Sequence, residues 1–79
     1  MPATLSELPA GSSAVVSDFL AAKPSLTRLR ELGLVPGVRI EVVRRAPLGE
    51  PIEIRLRGSH LAMRNSDAAF IAIEDATMG

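Results

Sequence analysis

His60 is the single histidine in a chain without cysteine, so any chemistry based on an imidazole or a thiolate has only this residue to work with. A first-row metal site normally needs three or four converging nitrogen, sulfur or carboxylate ligands, and one imidazole does not supply that set. Glu53 comes near His60 if the third and fourth strands form a hairpin, but a solvent-facing cross-strand pair accounts for that arrangement equally well. Ser59 adjoins His60 in sequence, yet neighbouring strand residues point to opposite faces, which keeps the imidazole from acting as base to the hydroxyl. The carboxylates Glu74 and Asp75 are parted in the same way and read as a solvated charge pair. Gly33, Gly37, Gly49 and Gly58 are dispersed turn glycines, with neither a phosphate-cradling loop nor the Gly-Lys-Ser/Thr ending that such a loop requires. No catalytic residue, metal site or cofactor site is therefore assigned.

The arginines offer a different kind of chemistry. Nine basic residues balance nine acidic ones, and eight of the nine are arginine, Lys23 being the exception. A guanidinium presents a planar fork to carboxylates and phosphates, which suits a protein-facing surface, although GC-rich coding produces the same bias. With zero net charge the chain has no excess field to draw it to nucleic acid. Its aromatic residues are Phe19 and Phe70 alone, both expected in the core, so it lacks the stacking platforms of single-strand binders and the aromatic groove of proline-peptide binders. Arg28 and Arg30 flank a leucine stripe on a short helix, with Thr27 and Glu31 pointing away from it. Arg44, Arg45, Arg55 and Arg57 can gather on the outer face of a hairpin, partly neutralised by Glu41, Glu50 and Glu53. The candidate partner-binding residues are accordingly Thr27, Arg28, Arg30, Glu31, Arg45 and Arg57.

These side chains need elements to hold them. Leu26, Leu29 and Leu32 fall within a sector about 120° wide and predict a helix over 25–32 with all three leucines inward. Gly33 follows as a left-handed C′ residue, with Leu34 placed to touch Leu29 in a Schellman cap. Val35-Pro36-Gly37-Val38 has the chemistry of a type II turn. Strict alternation then predicts strands over 38–42 and 52–56, joined antiparallel through the proline-containing loop 46–51. The change of phase at Val42-Val43 marks either a β-bulge or the start of that loop.

Residues 13–20 read as a first strand whose end at Ala21-Ala22 can drift toward helix. Residues 60–64 and 70–74 read as two more strands, separated by a turn with Ser66 as a possible N-cap. Thr4 and Glu7 form a capping box around one helical turn. The expected core is Val16, Leu29, Leu32, Val38, Ile40, Val42, Ile52, Ile54, Leu56, Leu61, Ile71 and Ile73.

At 79 residues and 47% hydrophobic content the chain makes a single domain spanning 1–79, with 76–79 expected to fray. Absence of cysteine fits a reducing compartment. There is neither an apolar run of about 18 residues nor a basic-then-apolar start, so a soluble, cytoplasmic protein is expected. Five short strands with one helix after the first predict a mainly β fold, a small sheet closed into an SH3-like barrel.

Leu5-Ser6-Glu7-Leu8-Pro9-Ala10-Gly11, the run from Arg28 through Gly37, Arg44-Arg45-Ala46-Pro47-Leu48-Gly49-Glu50-Pro51 and the run from Ile52 through Gly58 occur in an order and spacing that resemble the FeoA family. Leu61-Ala62-Met63-Arg64 and Ala68-Ala69 before a β run agree with the usual ending of that family, so the resemblance covers nearly the whole chain. It implies an SH3-like, bacterial, cytoplasmic protein without enzyme activity, an accessory or regulatory component of ferrous iron uptake that binds the GTP-coupled permease FeoB. The same domain type ends iron-dependent repressors. A repressor-type regulatory or small nucleic-acid-binding barrel is the alternative, and this chain lacks the repressors' DNA-binding region. The segment Ala21-Ala22-Lys23-Pro24 matches no fixed pattern of the family.

Overall fold

A computed structural model describes residues 3–78. After a 3-10 turn at Leu5–Glu7 come β1 (Ser13–Phe19), α1 (Pro24–Glu31), β2 (Arg39–Arg45), β3 (Ile52–Leu56), β4 (Ser59–Met63), α2 (Asn65–Ala68) and β5 (Ile71–Thr77). The five strands form one antiparallel sheet in the order β4-β3-β2-β1-β5. The SH3-like topology is as expected, but among the described residues no ladder joins β4 to β5, so the barrel is open rather than closed. The 3-10 turn and α2 contact each other there, and Leu5, Leu8 and Ala68 are wholly buried, which completes the core where the ladder stops.

Local chemistry explains most boundaries. Pro24 opens α1 at a position where its missing N–H has no intrahelical partner to lose. The helix ends in a Schellman motif: the Gly33 N–H donates to the Arg30 carbonyl (3.0 Å) and the Leu34 N–H to the Leu29 carbonyl (3.1 Å), with Gly33 at φ +109°. The type II turn closes with the Val38 N–H on the Val35 carbonyl at 3.1 Å, and Gly37 has φ +93°. The register between β2 and β3 slips between Val42 and Arg44, so the phase change at Val42-Val43 is a bulge. Glu7 closes its turn by accepting from the backbone N–H groups of Ala3 and of Thr4, the latter at 3.0 Å. Those two donors, Ala3 foremost, hold its carboxyl below the ordinary glutamate value.

The core is the inward row of each strand together with Leu26, Leu29 and Leu34, and eleven of the twelve expected core positions are buried or half-buried. Leu32 is not: it is 52% exposed because it is the C-cap residue (φ −84°, ψ 1°), where the chain has already left the helix and Leu34 takes the inward place. Phe70 likewise does not enter the core. It is 38% exposed in the turn before β5, with the Lys23 Nζ 4.9 Å from its ring centroid. Phe19 is half-buried against the core. Residues 65–68 form a helical turn whose N-cap is Arg64 rather than Ser66. Strand β5 extends to Thr77, paired with Ser13, three residues beyond the expected end of that strand; Gly79 of the segment expected to fray lies outside the described residues.

Candidate functional site

Helix α1 divides the surface that its arginines were expected to share. On one side the Arg30 guanidinium lies over the Phe19 ring, 5.4 Å from the centroid, and with Thr27, Leu26, Asp18 and Pro36 it lines a cleft of about 400 Å³ beside the end of β1. On the other side Arg28 overlooks a groove of about 410 Å³ between α1 and β4, with Leu29, Leu32, Leu61 and Met63 along it. Arg28 and Arg30 are therefore the rims of two separate depressions, and the expected mixed-charge ridge is split by the helix that carries it. Glu31 is exposed and lines neither depression.

The first turn of α1 is latched to α2. Asp67 of α2 accepts a hydrogen bond from the Ser25 hydroxyl (2.8 Å) and pairs with the Lys23 ammonium (3.3 Å). A carboxylate at a helix N-terminus also suits the helix dipole. The segment around Lys23, which matched no family pattern, thus joins the start of α1 to α2. No sequence signal linked residues 42 positions apart.

The hairpin arginines divide as well. Arg44 pairs with Glu53 (3.7 Å) and Arg55 with Glu41 (3.1 Å), both across the β2–β3 ladder at the surface. Arg45 does not join that outer face. Its Nε donates to the Leu8 carbonyl (2.9 Å), Nη2 to the carbonyls of Ser6 (2.6 Å) and Leu8 (2.7 Å), and Nη1 to Asn65 Oδ1 (3.1 Å). The bulge in β2 changes which way its last residues point, and Arg45 ties the N-terminal turn to α2. Arg57 is exposed in the β3–β4 turn at φ +47° and borders a depression of about 330 Å³ with Arg39, Glu41 and Arg55.

Across the β3–β4 hairpin His60 is paired with Arg55 and Glu53 with Ala62, so Glu53 and His60 share one face of the sheet as diagonal neighbours rather than a directly opposed pair. The described residues contain no group of three His, Cys, Asp or Glu placed to hold a metal ion. No described helix is long and apolar enough to cross a membrane. The surface thus offers two helix-flanking depressions and a set of guanidinium groups.

An open five-stranded sheet with this helix insertion and these caps matches known proteins closely. Residues 3–75 match the FeoA domain. The chain belongs to the FeoA family. Among solved structures, the FeoA protein of Chlorobium tepidum is 44% identical, covering 90% of this chain and 68% of that one, with a TM-score of 0.82. The zinc-complexed FeoA of Stenotrophomonas maltophilia, described as a procaryotic SH3 domain protein, is 32% identical and also superimposes at a TM-score of 0.82, covering 98% of each chain. A Porphyromonas gingivalis protein that fuses Fe(2+) transport protein A to the Fe(2+) transporter FeoB is 37% identical over 70 residues. Those residues are 89% of this FeoA chain and 8% of the fusion protein, so the chain spans a small part of that relative's length.

Proposed function

We propose that this FeoA chain is a non-enzymatic accessory protein of ferrous iron uptake that works in the cytoplasm by binding the GTPase region of a FeoB-type permease. The observation that carries this reading is the P. gingivalis relative, in which a segment similar to nearly the whole of this chain is covalently joined to the transporter. Two functions that depend on proximity are often encoded on one polypeptide, since a linker replaces a bimolecular encounter with a high effective concentration. The surface supports the same reading: Arg28 and Arg30 supply charge-assisted donors beside partly apolar depressions, and geometry rather than net charge provides selectivity in a neutral protein. Arg57 is a third surface donor of this kind.

Calorimetric titration of the purified chain into the cytoplasmic GTPase region of the permease from the same organism tests the reading. Saturable one-to-one binding is expected, weakened about tenfold, roughly 1.4 kcal/mol, by Arg28→Ala and Arg30→Ala together. No binding by the wild-type chain at concentrations of about 1 mM, where even a contribution of roughly 4 kcal/mol would register, overturns it.

A further inference from the structure

The geometry points to strand β4 as a docking edge: an extended segment of the partner, with alternating apolar and acidic side chains, adds to the free edge of β4 as a sixth strand and lays its apolar side chains in the groove beside α1. This inference rests on the proposal that the chain binds a permease, and it specifies how.

Three features of the strand carry it. The turn Arg57-Gly58 joins β3 to β4 with positive φ at both residues (+47° and +80°), as in a two-residue type I′ hairpin. The flanking pair Leu56–Ser59 is then hydrogen-bonded, and alternation makes Ile54–Leu61 and Ile52–Met63 hydrogen-bonded pairs as well. The backbone N–H and C=O groups of His60 and Ala62 consequently point away from β3, toward the open edge of the sheet. Within β4, Ser59-His60-Leu61-Ala62-Met63 holds no proline, no lysine and no carboxylate, and the pairing with β3 is unbroken by any bulge. Edges with none of these devices are templates for another strand.

The opposite edge of the sheet is managed differently. Strand β5 is bridged at Ala72 by Thr4, its Ile73 N–H donates to the Ala3 carbonyl (3.2 Å), and its outer half carries Glu74 and Asp75, the latter at φ +51°. One edge is covered and irregular, and the other, among the described residues, is unbulged and has no strand paired to it.

Side-chain chemistry selects the occupant. An added strand places the residue opposite Leu61 on the face of Leu61, where Leu29 and the half-exposed Leu32 already form an apolar groove. Arg28 and Arg64 border the same groove, and among the described residues neither takes part in an ion pair, while Asp67 is engaged by Lys23 and Ser25. The rim therefore complements carboxylates. A second copy of the chain would bring Arg28 and Arg64 against their own like charge, which disfavours self-pairing through this edge.

Backbone amide exchange on the full chain, free and with the permease's GTPase region, tests the inference without a mutation. The His60 and Ala62 amides should exchange rapidly in the free chain and slow at least tenfold in the complex. Ala62→Pro removes a donor that takes no part in the β3–β4 ladder, so the fold should persist by circular dichroism while affinity falls at least tenfold. Arg28→Glu with Arg64→Glu should weaken binding in the same direction, and serves if the proline variant does not fold. Binding that leaves both amides unprotected and is unchanged in these variants overturns the docking edge while the permease reading stands. Absence of any wild-type binding overturns both. A concentration-dependent dimer of the free chain, with both amides protected in it and abolished by Ala62→Pro, makes a second copy the occupant and overturns the acidic segment.

Discussion

Arg45 shows how far a single guanidinium can act from the role its charge suggests. Four donor contacts, to two backbone carbonyls and one side-chain amide, join the N-terminal turn to α2, and Leu8, whose carbonyl accepts twice, is wholly buried. An acceptor left unpaired in such a place costs its desolvation, typically about 1–3 kcal/mol. Arg45→Ala should therefore destabilise by about 1–3 kcal/mol, and at ~4–8 °C per kcal/mol for a domain of this size the thermal midpoint should fall by roughly 5–20 °C. Arg57→Ala, at an exposed turn, should stay within about 0.5 kcal/mol of wild type. Equal midpoints for the two variants, measured by scanning calorimetry, would remove the structural role assigned to Arg45.

Helix α1 owes its length to its ends more than to its interior. Eight residues are too few for a helix to persist on intrinsic propensity, so packing of Leu26 and Leu29, the latch from Asp67 and the Schellman cap must hold it. Gly33→Ala isolates the cap. A Cβ at residue 33 would meet Leu56 Cδ1 at 3.8 Å, an ordinary contact, so steric clash contributes little. The backbone at φ +109° is what an L side chain resists, and a loss of about 1–2 kcal/mol is expected, read as a lower urea midpoint with unchanged slope. A wild-type midpoint would show that the cap tolerates another conformation. The cap was legible beforehand because Gly-Leu after a leucine-periodic run carries local information. The latch was not, because three strands, β2, β3 and β4, separate Lys23 and Ser25 from Asp67 along the chain.

For the molecule as a whole, the core decides stability, and it is small. Ile54 is wholly buried at the centre of β3, between β2 and β4. Ile54→Ala should cost ~2–5 kcal/mol in transfer free energy and cavity formation, a large part of the ~5–15 kcal/mol that holds an ordinary domain together. Leu32→Ala, by contrast, should change stability by less than about 0.5 kcal/mol, since that side chain already faces solvent. Chemical denaturation of the two variants side by side checks both assignments, and a Leu32 variant as damaged as the Ile54 variant would put the groove wall back in the core. Sequence alone determined what depends on short-range pattern: the alternating strands at Ile40, Val42, Ile52 and Ile54, the helix stop at Gly33, the Pro36-Gly37 turn, and the family they add up to. These follow from the two-residue period of a strand and from the conformational range of glycine and proline, which act within a few residues. Tertiary structure decided the rest. It turned Arg45 inward, split Arg28 from Arg30, exposed Leu32 and Phe70, and left β4 as a free edge. Each of those depends on which distant segment reaches a given face first, and local sequence pattern carries little information about that.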